Sequence, residues 1–201
     1  MTDQRVGRLL PASLHQAIAE ELPDRLEYYE HWLRSETLRD GAVGLPAVRA
    51  VLGFLRTEPA GGYEQVMARA GRLAAEWHLA VVPAYRRRMI GWMPARLRTR
   101  SAMRLARALT PLISAQARAS SSVRGSQARF DVVSSVFCDV RDRSPAPLCG
   151  FYLAMVVGTL AQFGLAAHGA VERCHAVETG EACRVRIHLD GGRSASEATA
   201  A

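Results

Sequence analysis

Apolar residues recur at spacings of three and four through the first two thirds of the chain, and the last third changes rhythm. The first regime predicts helices. LHQAIAEEL and DRLEYYEHWLRSETLRD form an N-terminal helical region, opened at Ser13 or Pro23 and stopped at Gly41. Pro46 stands where a first helical residue belongs, ahead of AVRAVLGFLRTE, and the stretch from Pro59 to Gly62 closes that helix. From Tyr63 to about Val82, Val66, Ala70, Leu73 and Trp77 form an amphipathic stripe. Pro83 and Pro94 bracket a short basic helix or loop, and Ser101 to Ala119 reads as another helix with a kink at Pro111.

Ser120 to Gly125 reads as a small polar linker. Beyond it, Phe130 to Val140 (FDVVSSVFCDV) is rich in β-branched and aromatic residues and predicts a strand. After the turn RSPAP comes an apolar helix from about Leu148 to Ala167. Gly169–Val177 and Ala182–Leu189 then form a hairpin around Thr179-Gly180. No internal repeat is visible. Helices, then strand, helix and hairpin, predict an α+β fold in which helices pack on a small antiparallel sheet. The tail from Gly191 onward (GGRSASEATAA) is expected to be disordered.

Composition narrows the class. At 201 residues and 49% hydrophobic content, one domain with a sizeable core is expected. The 26 basic residues are all arginine, and asparagine is absent too. Codon bias in a GC-rich bacterial genome accounts for both, so the choice of arginine says little. The N-terminus has no apolar run of signal-peptide length, and a cytoplasmic protein is expected. In a reducing compartment, four cysteines are thiols or metal ligands rather than disulfides. The run from Ser144 to Val171 carries no charged residue and is long enough to span a membrane, but two prolines, four glycines, Gln162 and His168 interrupt it. A buried central helix is the better reading.

The hairpin carries the candidate chemistry. A two-residue turn at Thr179-Gly180 would place Cys174 opposite Val185 and Glu172 opposite Ile187. Alternation then gathers Glu172, Cys174, Cys183, Val185, Ile187 and Leu189 on one face, with Arg173, His175, Arg184, Arg186 and His188 on the other. A carboxylate on the core face must be paired or metal-bound. Cys174 and Cys183 would be diagonal neighbours, about 7–8 Å apart, a separation that a thiolate-bound zinc fits. Cys149, at the start of the apolar helix, is the candidate for the remaining position, where a helix N-terminus favours thiolate. Two alternatives stay open. The three cysteines are buried free thiols with Glu172 paired to an arginine, or Cys138 replaces Glu172 in an all-cysteine site.

These residues resemble the 4-vinyl reductase domain family. The match rests on Cys149-Gly150-Phe151 opening the helix, Gly158 within it, Glu172 and Cys174 on the next strand, and Gly180 followed by Cys183 across the hairpin. A looser likeness, including the Gly71-centred helix VMARAGRLAAEWH, extends it over Val43 to Leu189. The resemblance implies a helical extension over 1–42, a ligand-binding domain over 43–190 and a tail over 191–201. It also implies a fold similar to small subunits of the trafficking (TRAPP) complexes, with an internal apolar cavity. Family members include the sensor domains of phenol- and xylene-responsive activators and proteins tied to bacteriochlorophyll vinyl reduction. In the aromatic sensors a structural zinc is held by three cysteines and a glutamate, which fall here on Cys149, Glu172, Cys174 and Cys183. The gap between glutamate and cysteine is one residue shorter here than in those sensors.

On that resemblance the chain is expected to be a stand-alone sensor or carrier for a small hydrophobic or aromatic molecule, with a structural zinc and a homodimeric assembly. Trp77, His78, Trp92 and Phe151 are the candidate ligand-contacting residues. One alternative is a tetrapyrrole vinyl-reductase-type enzyme or accessory protein, and another is an interaction module of the trafficking-subunit kind. The sequence carries no nucleophile elbow, dinucleotide fingerprint, HExxH motif or phosphate-binding loop, which leans against an enzyme. Between Trp77 and Phe130 there are eleven arginines and no acidic residue. Eight of them lie in the segment 86–107, which is thus strongly basic. It could bind an anionic ligand or partner, or be a solvated surface; nucleic acid is the weakest of its readings.

Overall fold

The fold is taken from a computed structural model, which describes residues 5–33, 43–59, 61–140, 143–178, 180 and 182–190. The chain runs β1 (Arg5–Val6), α1 (Leu9–Glu21), a 3-10 turn (Pro23–Arg25), α2 (Leu26–Glu30), β2 (Val43–Gly44), α3 (Leu45–Leu55), α4 (Gly62–Val81), α5 (Ala84–Trp92) and α6 (Ala95–Ile113). Then follow β3 (Arg118–Arg124), β4 (Gln127–Val133), a second 3-10 turn (Val136–Cys138), α7 (Gly150–Ala161), β5 (Ala167–Arg173) and β6 (Ala182–Leu189). The result is an α+β fold with helices packed on a four-stranded antiparallel sheet of order β3-β4-β6-β5. β1 and β2 make a separate two-stranded pairing. The expected stop at Gly41, the turn residue Thr179 and the tail beyond Asp190 lie outside the described residues.

One face of the sheet is covered by α6 and α7, and α4 packs over α7 with α1 beyond it. α7 is therefore a central helix, buried on most sides, as its uniformly apolar sequence GFYLAMVVGTLA requires. No helix among the described residues is long and apolar enough to cross a membrane. The α4–α7 crossing is close because Gly71 offers no side chain. A Cβ there would lie 2.4 Å from the Phe151 carbonyl oxygen and 2.9 Å from the Ala154 Cβ. α4 is amphipathic as expected, burying Tyr63, Val66, Met67, Ala70, Leu73 and Ala74.

Three expectations are corrected. The segment read as a polar linker is strand β3, paired residue for residue with β4 from Arg118↔Val133 to Arg124↔Gln127. Helix α6 starts at Ala95 behind Pro94 and ends at Ile113, six residues earlier at each end than the pattern suggested. The strand expected over Phe130–Val140 stops at Val133. Ser134 takes a left-handed backbone conformation (φ 57°), which turns the chain out of the sheet and into the 3-10 turn that holds Cys138.

Candidate metal centre and the groove beside it

Four separate segments deliver a cysteine to one point. Cys138 closes the 3-10 turn after β4, Cys149 immediately precedes α7, Cys174 follows β5, and Cys183 is the second residue of β6. All four are buried, unbridged thiols, and their sulfurs lie within 4.8 Å of one another. The Cys138 sulfur is 2.9 Å from that of Cys149, 3.3 Å from Cys183 and 3.5 Å from Cys174; Cys149 and Cys174 are also 3.5 Å apart. A tetrahedral zinc with bonds of about 2.3 Å needs sulfurs about 3.8 Å apart. The four donors fit one such ion. They stand too close together to surround a cluster of several irons with bridging sulfides.

Backbone donors complete the arrangement. The Leu148 N–H donates to the Cys174 sulfur at 3.3 Å, and the His175 N–H donates to the Cys183 sulfur at 3.5 Å. Such donors suit thiolate rather than thiol, and they orient metal-bound sulfur. Donation from Cys138, Cys149 and Cys183, then from the Leu148 N–H, holds the Cys174 thiol far below its ordinary range. Contact with Cys138, Cys174 and Cys183, together with burial, pushes the Cys149 thiol up. Contact with Cys149 lowers the Cys138 thiol as well, while contact with Cys138 pushes the Cys183 thiol up, so two of the four favour thiolate and two resist it unless a cation supplies the missing charge.

Cys149, Cys174 and Cys183 come together as the sequence suggested, but Glu172 does not join them. Val171 pairs with Val185 and Arg173 with Arg184, so Glu172 is the extra residue of a β-bulge. The opposite partner of Ile187 is Gly169, not Glu172. The carboxylate consequently sits on the outer face of the sheet in an ion pair with Arg186. Cys138 occupies the fourth corner. The predicted outer position of His188 holds, where its ring stacks on His168 with centroids 5.5 Å apart. His175 is exposed and also lies outside the centre.

The proposed ligand-contacting set is scattered. Phe151 is fully buried and stacks on Phe137 at 4.8 Å. Trp77 packs half-buried against the core, while Trp92 projects into solvent. The His78 Nε2 is buried without a partner, and burial holds its imidazole below the ordinary range. None of the four lines the largest groove described. That groove, of ≈ 890 Å³, is walled by Arg49, Arg56, Tyr63, Asp139, Pro145 and Leu148 among others. It abuts the cysteine centre, since Asp139 and Leu148 adjoin Cys138 and Cys149 in the chain.

The groove's polar groups are partly committed. Tyr63 donates to the Leu148 carbonyl at 2.9 Å, and burial raises its phenol well above the ordinary range. Arg49 pairs with Asp139, and Arg56 Nη2 donates to the Phe137 carbonyl at 2.9 Å. The Arg56 Nε is buried behind the groove wall with no partner. Nothing in the sequence marked Arg56 or Tyr63, because they come from α3 and α4 and meet the Pro-rich loop only in three dimensions.

No protein-family model matches the chain, and no curated protein matches it. Solved structures do. The chain is similar to the phenol-responsive sensory domain of the transcription activator PoxR, solved with phenol: 14% identity, TM-score 0.50, covering 72% of this chain and 74% of that one. It is also similar to an H-NOX structure determined to explain H-NOX activation, at 13% identity and TM-score 0.52, covering 92% and 96%. At these identities the likeness is one of fold. The class so defined is an α+β domain with the architecture of these two proteins, carrying a four-cysteine cluster that could hold a metal ion.

Proposed function

We propose that this chain is a 4-vinyl-reductase-type ligand-binding domain, a sensor or carrier, in which Cys138, Cys149, Cys174 and Cys183 hold one structural zinc. The observation that carries the reading is the gathering of four buried sulfurs from four segments within 4.8 Å. Soft thiolate donors in a closed tetrahedral set suit zinc. When bound, the ion supplies a cross-link between the end of β4, the start of α7 and the β5–β6 connection. Metal analysis of the purified protein tests this: about one zinc per chain is expected, and a preparation with no metal and four freely reactive thiols would overturn it.

The ligand reading rests on the groove beside the centre. A small aromatic molecule with one hydroxyl suits its mixed lining, the ring against Leu148 and Pro145 and the hydroxyl accepting from the groove-facing part of the Arg56 guanidinium. The likeness in fold to a phenol-responsive domain supports the same class of ligand. Titration with phenol and with xylene, followed by thermal shift, is the test. Binding weakened about tenfold or more in Arg56→Ala is expected, corresponding to loss of one hydrogen bond to a charged donor. Equal binding by the variant would remove the groove from the proposal.

A further inference from the structure

Helix α5 is held to the rest of the molecule by little of its own surface. Ile90 is its one buried residue. On the outside, Tyr85 is 74% exposed, Met89 52% and Trp92 83%. Their spacing of four and three places them on one helical face. Two further apolar side chains flank the helix in sequence and are also open to solvent, Val81 before it at 78% and Leu97 after it at 50%. A soluble protein gains nothing from presenting tryptophan, tyrosine and three aliphatic side chains to water around one short helix.

The same region is basic throughout. Arg86, Arg87 and Arg88 are exposed on α5, and Arg96, Arg100, Arg104 and Arg107 on α6. No acidic residue occurs between Trp77 and Phe130, and none of these arginines has an ion pair among the described residues. α5 and α6 pack together, tied by Arg98 donating to the Gly91 carbonyl at 3.3 Å, so the display is fixed by the fold. The acids of the N-terminal helices do not answer these arginines among the described ion pairs: Glu20 pairs with Arg69 and Glu30 with His15.

We propose that the α5–α6 surface docks the protein on an anionic lipid bilayer, with Tyr85, Met89 and Trp92 entering the interface and the arginines contacting headgroup phosphates. An aromatic and aliphatic face bordered by arginines is the composition of an interfacial helix. Charge complementarity selects the partner. A second copy docked face to face through this surface would set arginine against arginine. Nucleic acid would answer the arginines and stack on Trp92, but it would leave Val81, Met89 and Leu97 without a hydrophobic partner. Anionic lipid satisfies both sets. None of the four cysteines takes part, so this inference stands apart from the metal and ligand proposals.

The test is sedimentation of the full chain with extruded phosphatidylcholine vesicles, with and without about one third phosphatidylglycerol, at about 0.1 M salt. Binding to the anionic vesicles, little to the neutral ones, and a fall with added salt are expected. Replacing Arg86, Arg87 and Arg88 by Gln should weaken partitioning on the order of a hundredfold. Trp92 fluorescence, isolated in a Trp32→Phe, Trp77→Phe background, should shift to the blue and be quenched by brominated lipid. Trp92→Ala should weaken binding while circular dichroism stays unchanged. The proposal is overturned by no binding to anionic vesicles, by binding indifferent to Trp92, or by tighter binding to duplex or single-stranded DNA than to vesicles. Concentration-dependent dimers that need Tyr85 and Trp92 would likewise assign the face to self-association.

Discussion

A buried thiolate needs a compensating charge, and two side chains compete on paper for the last place at this centre. Cys138 contacts Cys149, Cys174 and Cys183 directly, whereas Glu172 is turned outward to Arg186. Cys138→Ser should therefore lose most of the bound zinc, and Glu172→Gln should keep about one ion per chain, both read by metal analysis. Zinc lost in the glutamine variant and retained in the serine variant would restore the glutamate-containing set.

His78 carries a separate prediction at this scale. Burial holds its folded-state pKa below the ordinary value near 6.5. The unfolded chain then binds the proton more readily, so stability is complete above pH 6.5 and declines as pH falls from there towards the folded value. His78→Gln removes that titration. Its urea midpoint should fall less than that of the parent between pH 7.5 and 5.5, and equal falls would show that His78 contributes nothing to the acid limb.

At the scale of elements, the α4–α7 crossing is set by glycine. Gly71→Ala drives a methyl into the Phe151 carbonyl at 2.4 Å, with backbone on both sides and no flexible end to yield. The cost is about 1–3 kcal/mol, or a Tm lower by about 2–12 °C for a chain of this size. Gly158→Ala is the control, because its Cβ would meet Ala75 at an ordinary 3.5 Å, and the gain in helix propensity should leave stability level or slightly higher. Equal effects at both positions would contradict the crossing. The sequence showed these helices through their apolar spacing, and it showed β6 because Cys183, Val185 and Ile187 alternate inward. It hid β3, since RASSSVR carries no hydrophobic alternation and is a strand only because β4 lies alongside. The bulge at Glu172 and the turn at Ser134 were equally hidden. Each is a one-residue irregularity, and each moves a candidate ligand to the other side of the answer.

At the scale of the molecule, the four cysteines join parts that the sheet alone leaves loosely connected. β4 leaves the sheet at Ser134, α7 begins beyond a Pro-rich loop, and Cys174 starts a turn whose Val177 and Glu178 amides return to its own carbonyl. Around the centre, those segments are tied by the Ser144 N–H to the Ala176 carbonyl, by Arg56 and Tyr63 to the Phe137 and Leu148 carbonyls, and by the contact between sulfurs. A zinc ion bound only to the folded state, at free concentration a thousandfold above its Kd, stabilises by about 4 kcal/mol. At about 2–4 °C per kcal/mol, chelation should lower the Tm by roughly 8–16 °C, and added zinc should restore it. Hydrogen exchange should accelerate first at amides beside the cysteines, Leu148 and His175 among them, because those N–H groups lose the charged sulfur they donate to. The α1–α4 packing on the far side of α7 should keep its protection. A chelated protein with unchanged Tm and unchanged exchange at Leu148 and His175 would mean that the four thiols pack as core residues, and that the fold closes without an ion.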